Sequence, residues 1–166
     1  MKPEQQFGLL ESTPLAPPSV LTLSTGEHPT VDPVLEKIFD FCERAEIGSP
    51  TYDPQVVLYK AQDFLKSEWE ETNDALDLED VEQIVDGFAD QAFIAINGIY
   101  KALRVSGQDP ETARVNTNKI LDNVAEANLA KGTPDFIYNE FGKVIKPEGW
   151  SSPNHSKECN NSVDNT

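Results

Sequence analysis

The chain has 166 residues, which suits one domain with a single core and is too short for two domains of ordinary size. Thirteen Lys and Arg residues against twenty-nine Asp and Glu give a formal net charge of −16, which argues against nucleic-acid or anionic-membrane binding. Cys42 and Cys159 are too far apart to indicate a disulfide framework, and no signal peptide or long apolar run is present, so we expect a cytoplasmic protein.

The two ends of the chain differ in composition from its middle. Residues 1–30 are rich in Pro, Ser and Thr without an apolar period, and residues 151–166 are polar and Asn-rich. We therefore predict a flexible N-terminal segment over 1–30, one domain over 31–150 and a flexible C-terminal tail over 151–166.

Three helix starts are marked by the same dipeptide, an Asp followed by a Pro. An Asp at the N-cap position accepts hydrogen bonds from free backbone N–H groups, and Pro suits the first helical position. The dipeptide occurs at Asp32-Pro33, Asp53-Pro54 and Asp109-Pro110. We predict that a helix begins at each of them.

A further helix is predicted between the second and third of these starts. It begins at Asp77, with Asp80 three residues on, and ends near Val105, where the Ser-Gly pair at 106–107 provides a stop. Residues 132–150 are rich in Gly and Pro and predict an ordered loop or arm. Since no strand-like alternation is sustained, the predicted fold is an all-α, four-helix bundle that oligomerisation completes.

Ten acidic residues and no basic residue lie between Ser67 and Asp90, around the turn that joins two predicted helices. Glu68 and Glu71 fall on the core seam of the second helix, where a bound cation would relieve their repulsion and desolvation. The more common outcome for such a charge run is a solvated face. The seam consists of Val57, Ala61, Phe64, Glu68, Glu71 and Ala75. The off-seam acids, to which we assign no role, are Glu70, Asp74 and Asp77.

The next helix adds a second pair of carboxylates, Asp86 and Asp90, which are four residues apart and share a face. Asp90 has apolar sequence neighbours, so we expect it to be buried and to need a partner. The nearest downstream basic residues do not lie at ion-pair spacing, which favours a hard cation, Mg²⁺ or Mn²⁺, over a salt bridge. The predicted apolar stripe of this helix is Val85, Ala89, Ala92, Ile96, Ile99 and Leu103.

The order of these acidic helices resembles the MazG-like, all-α nucleotide pyrophosphohydrolase superfamily, and in particular its phosphoribosyl-ATP pyrophosphohydrolase-like branch. The blocks that carry the resemblance, over residues 34–150, are FLKSEWEETNDAL, IVDGFADQAF, VAEANLAK and GKVIKPEGW. The resemblance implies a MazG-like bundle with a C-terminal loop arm, assembled as a homodimer or homotetramer. Many such proteins come from phages and bacteria, and a phage protein would act in the host cytoplasm.

The resemblance also implies which acidic residues hold metal. The residues that match the family's Mg²⁺ ligands are Glu68, Glu71, Asp86 and Asp90. Catalysis is assigned to Glu68, Glu71 and Asp90. The family often has E-x-x-D in the second block, whereas Gln83 stands three residues before Asp86 and Gly87 three before Asp90. The division of labour between the two aspartates, and the role of Glu82, therefore stay open.

Six further residues are candidates for substrate binding. An N-x-x-K motif and two lysines of a G-K-V-x-K arm match the family, and their positive charge suits a triphosphate. Amides can pair with base edges, and an indole can stack on them. The six are Asn97, Asn128, Lys131, Lys143, Lys146 and Trp150. For Lys143, plain solvation is an equal alternative.

We therefore predict a Mg²⁺-dependent hydrolase, with Mn²⁺ as a substitute, that splits a nucleoside triphosphate into the monophosphate and pyrophosphate. The family suggests nucleotide-pool control with purine deoxynucleotides as the first substrates to consider. Two alternatives remain. One is a dUTPase of the same superfamily, and the other is a non-catalytic acidic helical protein that binds a basic partner or imitates DNA.

Overall fold

The computed structural model describes residues 32–49, 52–132 and 135–160. The predicted N-terminal segment over 1–30 lies outside the described residues, as do residues 161–166 of the predicted tail. The long helices are α1 (Pro33–Phe41), α2 (Pro54–Asp77), α3 (Val81–Val105) and α4 (Pro110–Leu129). The short elements are a π-helical turn (Cys42–Ile47) that continues α1, a 3₁₀ turn (Ala130–Gly132) and α5 (Ser156–Cys159).

The all-α prediction is confirmed for the described residues. Their only β pairing is an isolated antiparallel bridge between Tyr138 and Val144, in the segment that follows α4. None of the helices in these residues is both long enough and apolar enough to cross a membrane.

The three Asp-Pro helix starts are confirmed. The Asp32 carboxylate accepts a hydrogen bond from the Val34 N–H at 2.7 Å, and Asp53 and Asp109 cap α2 and α4 in the same way. Each Asp satisfies backbone donors that would otherwise have no partner within the helix. The strength of this local signal explains why the sequence located these starts.

The predicted start of the next helix at Asp77 is wrong. Asp77 is the last residue of α2, and α3 begins at Val81 with Asp80 as its N-cap. Ala75 is buried, so packing continues to the last turn of α2 and leaves a short turn over residues 78–80. The predicted end of α3 at Val105 is confirmed, and Gly107 follows it with φ 97°.

The core lies where the C-terminal half of α3 meets α1 and α4. The ring of Phe39 on α1 stacks on Tyr100 of α3 with centroids 4.7 Å apart, and both side chains are fully buried. α2 packs against α3 along its length, and the short turn makes the two helices antiparallel. The core residues are Phe39, Cys42, Tyr100, Leu103, Ala113 and Ile120.

Only half of the predicted apolar stripe of α3 is buried. Ile96, Ile99 and Leu103 pack against or within the core, whereas Val85 is 63% exposed and the alanines at 89 and 92 are exposed as well. The reason is that the N-terminal half of α3 meets α2 through a different face, which contains the buried Gly87. On the α2 side, Phe64 is likewise exposed in spite of its seam position.

A carboxylate of the π-helical turn fastens α1 to α3. One oxygen of Glu43 accepts hydrogen bonds from the Tyr100 hydroxyl and the Arg104 Nε, each at 2.6 Å. Burial opposes ionisation of Glu43, but these hydrogen bonds and the charges of Arg104 and Arg114 outweigh it, so the pKa of Glu43 is lowered. The ionised form therefore stabilises the folded state.

We predict that Glu43→Gln lowers the free energy of unfolding at pH 7 by about 1–3 kcal/mol, because it removes a charged acceptor from the buried Tyr100 hydroxyl and the partly buried Arg104 guanidinium. A lowered pKa contributes stability above the unfolded value of about 4.3, and that contribution is lost as the pH falls through the folded value. The gap between variant and wild type should therefore narrow below about pH 4.3.

Urea unfolding at a series of pH values measures this difference. Glu126→Gln, at an exposed position of α4, is the matched control and should change the free energy of unfolding by less than about 0.5 kcal/mol. An equal loss for both variants, or a gap that widens in acid, would contradict the assignment.

Candidate metal centre

A groove between α2 and α3 has the four predicted metal ligands among its lining residues. Its volume is about 320 Å³, and it lies beside the turn at residues 78–80. α2 contributes Glu68 and Glu71, and α3 contributes Asp86 and Asp90. The other lining residues are Thr72, Asp74, Ala75, Leu78, Asp80, Gln83 and Gly87.

A close approach between Gly87 and Thr72 sets the width of the groove. A Cβ atom on Gly87 would lie 2.2 Å from the Thr72 Oγ1 and 3.2 Å from its Cβ, so no larger residue fits without movement. Thr72 is buried, its hydroxyl donates to the Glu68 carbonyl at 2.6 Å, and it accepts from the Gln91 amide at 2.8 Å. This junction joins the backbone that carries Glu68 to the face of α3 next to Asp86.

The groove carboxylates repel one another. The pKa of Glu68 is raised by desolvation first, and then by the negative charges of Glu71, Asp90 and Asp86. Within the described part of the chain, none of the four forms an ion pair. A bound cation would supply the counter-charge that the neighbouring side chains do not.

Three basic residues of α3 and α4 form ion pairs with acids outside the groove. The Lys101 ammonium lies 2.8 Å from a Glu46 oxygen, and Arg104 pairs with Glu43, both acids being in the π-helical turn. Arg114 of α4 pairs with the α1 acids Glu36 and Asp40. These partners explain why the three bases do not neutralise the groove.

The expectation that these carboxylates would be shielded from water is wrong for the single chain. Glu68 is half-buried, whereas Glu71, Asp86 and Asp90 are exposed. Asp90 is not enclosed by its apolar neighbours, since Phe88 is itself 57% exposed. The contact face of α3 runs through Gly87 instead, which leaves the flanking aspartates at the rim of the groove.

The chemistry of the donor set fits a divalent metal ion. All four predicted ligands offer carboxylate oxygens, which suit Mg²⁺ or Mn²⁺ better than a soft metal. In the described residues, no group of three or more His, Cys, Asp or Glu side chains is arranged to hold an ion. The groove offers the right donor atoms for such an ion. Coordination would require the carboxylate side chains to rotate, which exposed side chains do readily.

Asp74 is a groove residue that sequence reasoning missed. Its position outside the core seam of α2 predicts no role, yet it lines the groove together with Asp80 and Gln83. The available signal was its position three residues after Glu71, which places both on one side of the helix. The described lining does not include Glu82, whose role the sequence left open.

Four of the six predicted substrate residues lie together at the end of α4. The Lys131 ammonium donates to the Asn128 side-chain oxygen, and it lies 5.2 Å from the centre of the Trp150 ring. The Lys146 ammonium lies 4.3 Å from the same ring centre. The described lining of the carboxylate groove comes from α2, α3 and their turn, so this cluster belongs to a separate part of the chain.

The other two predicted substrate residues lie apart from this cluster. Asn97 is only 3% exposed, and its Nδ2 donates to the Glu46 carboxylate at 2.8 Å while its Oδ1 is buried with no hydrogen-bond partner among the described residues. Its amide therefore belongs to the contact between α3 and the π-helical turn. Lys143 is exposed, and its backbone N–H donates to the Asn139 side chain at 2.9 Å within a tight loop.

Comparison with models of known protein families, with curated proteins and with solved structures gave no match for this chain. The resemblance to the MazG-like superfamily is therefore an expectation from the sequence motifs alone. The assignment of the groove depends on the residues of this chain and their geometry.

We predict that Gly87→Ala lowers the free energy of unfolding by about 1–3 kcal/mol, because the added methyl group overlaps the Thr72 hydroxyl. Thr72→Ala removes that hydroxyl and two hydrogen bonds, so the double variant should lose less stability than the sum of the two single changes. Thermal or urea unfolding of the three variants provides the measurement.

Gly98→Ala is the matched control, since it lies in the same helix and a Cβ there meets nothing within 4 Å. That change should leave stability unaltered or raise it by up to about 1 kcal/mol, through helix propensity. Strict additivity of Gly87→Ala and Thr72→Ala would show that the two side chains do not limit the approach of the helices.

Proposed function

We propose that the protein is a Mg²⁺-dependent nucleoside triphosphate pyrophosphohydrolase, which converts a (d)NTP and water into a (d)NMP and pyrophosphate. The observation that supports it best is the groove, which is lined by four carboxylates from two helices and has no ion pair to them among the described residues. Desolvation and then the charges of Glu71, Asp90 and Asp86 raise the pKa of Glu68. The motif order in the sequence, which resembles the MazG-like superfamily, gives the groove its proposed chemistry.

In the proposed mechanism, the residues that would hold the metal are Glu68, Glu71, Asp86 and Asp90. When bound, Mg²⁺ would neutralise phosphate oxygens and lower the pKa of a water molecule. Glu68 or Glu71 accepts the proton of the water that attacks the α-phosphorus, and no covalent intermediate is needed. Lys131 and Lys146 stabilise the charge that develops on the leaving pyrophosphate.

The proposed role of the enzyme is control of the nucleotide pool, with purine deoxynucleotides as the first substrates to test. Asn128 and Lys143 are proposed to contact the nucleotide, as the arm motif suggests. Asn97 is the least favourable of the proposed contacts, because its amide already binds Glu46. A dUTPase of the same superfamily would differ by a strict preference for uracil.

Glu71→Gln should reduce turnover by about a hundredfold or more while the fold is kept, because the variant loses a metal ligand or the proton acceptor. The matched control is Glu70→Gln, the adjacent acid, which is exposed, pairs with Lys66 at 3.7 Å and lies outside the described groove lining. Pyrophosphate release from a panel of nucleoside triphosphates with Mg²⁺ is the assay. Near-normal turnover of a folded Glu71→Gln would remove this residue from the site.

A non-catalytic acidic protein is the second candidate, and the exposure of Glu71, Asp86 and Asp90 favours it. Such a protein would present its carboxylates to a basic partner, and Mg²⁺ would bind weakly and leave its stability unchanged. The same nucleotide panel separates the two candidates. If no pyrophosphate is released and Mg²⁺ does not change the melting temperature, the non-catalytic candidate is favoured.

We also propose that a second copy of the chain covers the bare apolar face of α3. Val81, Val85 and Phe88 lie at spacings of four and three on one side of this helix, and they are 70%, 63% and 57% exposed. Such a row is unusual on a monomer and typical of a subunit contact. The proposed assembly is a homodimer or a homotetramer.

Phe88→Glu should therefore shift the protein to a monomer, because it places a charge in an apolar contact. Light scattering coupled to size-exclusion chromatography measures the mass of wild type and variant. Val34→Glu, at an exposed apolar position of α1, is the control and should leave the mass unchanged. A monomeric wild type would refute the assembly.

A further inference from the structure

Trp150 attaches the segment that follows α4 to the end of that helix. Its indole Nε1 donates to the Ala127 carbonyl at 2.7 Å, and its backbone N–H donates to the Pro147 carbonyl at 3.1 Å. Ala127 lies in the last turn of α4, where backbone carbonyls lack a regular helical partner. The indole therefore caps the helix and fixes the chain at residue 150.

The other end of this segment is attached as well. The Phe136 ring packs over Gly132 so closely that a Cβ there would lie 2.4 Å from ring atoms. Between the two attachments, the Ile145 N–H donates to the Ile137 carbonyl at 2.7 Å and closes a hairpin-like loop. We call residues 135–150 the arm, and its position against α4 is set by Phe136 and Trp150.

Two ammonium groups lie beside the Trp150 ring. Lys131 comes from the end of α4 and Lys146 from the arm, so the ring brings together cations from separate parts of the chain. The attraction of each ammonium to the ring offsets part of their mutual repulsion. Within the described residues neither lysine forms an ion pair, although the chain carries a net charge of −16.

We propose that Trp150 is a positioning residue, which holds Lys131 and Lys146 so that both bind one oligophosphate anion. The inference rests on the proposed function, because the anion that the two lysines would bind is the pyrophosphate end of the nucleoside triphosphate. This role replaces the stacking on a nucleotide base that the sequence suggested for Trp150, because ammonium groups lie beside the ring and the indole N–H donates to Ala127.

Fluorescence tests anion binding without any turnover. The chain has two tryptophans, so Trp69→Phe leaves Trp150 as the only indole that reports. Sodium pyrophosphate without metal should change the Trp150 emission saturably, because an anion bound by the two ammonium groups changes the charge beside the ring. When Lys131→Gln or Lys146→Gln is added, the pyrophosphate concentration for the half-maximal emission change should rise at least tenfold. Lys119→Gln, at an exposed lysine of α4, is the matched control and should leave it unaltered.

Steady-state kinetics test the positioning role. Trp150→Phe keeps a ring but loses the indole donor, and Trp150→Leu loses both, so KM for the nucleotide should rise severalfold and about tenfold, respectively. The Mg²⁺ concentration for half-maximal activity should not change, since the groove lining lies elsewhere. Because Trp150 acts through the lysines, Trp150→Leu with Lys146→Gln should be little worse than Trp150→Leu alone.

The outcomes separate this inference from the proposed function. A saturable emission change that needs both lysines supports the anion site, even if the wild type hydrolyses no nucleotide. Nucleotide hydrolysis without any response of Trp150 to pyrophosphate overturns the inference and leaves the proposed function standing. Fully additive effects of Trp150→Leu and Lys146→Gln would likewise overturn the positioning role.

Discussion

The close approach of α2 and α3 at Gly87 is the constraint on which the acidic end of the molecule depends. The missing side chain lets the Thr72 hydroxyl fill the space between the helices, where it also binds the Glu68 carbonyl and the Gln91 amide. The groove carboxylates repel one another, and in the described residues none of them forms an ion pair. A small polar junction therefore keeps the carboxylates of both helices, including Asp86, along one groove.

Charge is separated along α3. Its first half carries Asp86 and Asp90, and its last turns carry Lys101 and Arg104. At the ends of the helix, Glu82 in the first turn and Arg104 in the last turn agree with the helix dipole, which favours negative charge near the N-terminus and positive charge near the C-terminus. The bases are neutralised by acids of the π-helical turn, among them Glu46, and this end forms the core. The acidic end keeps its charge, which makes it the chemically reactive part of the molecule in our proposal.

The proposed chemistry needs two parts of the chain that are built in different ways. The carboxylate groove is formed by two long helices, and the cationic cluster by the end of α4 and the arm. Helices give the carboxylates a fixed backbone, whereas the Lys146 side chain depends on an indole for its place. Trp150 is not among the residues that line the described groove, so in our proposal a change of this residue alters the cationic cluster and leaves the groove carboxylates in place.

The sequence by itself determined the all-α class, three helix starts and the concentration of acids around one turn, because caps and composition act locally. It did not determine which face of α3 meets α2, since the apolar stripe pointed to Val85 and packing selected Gly87. For the same reason it overestimated the burial of Asp90 and missed Asp74. Only the tertiary structure brought Lys131 and Lys146 to one indole, because contacts between distant segments depend on how helices pack and leave no periodic signal in the chain.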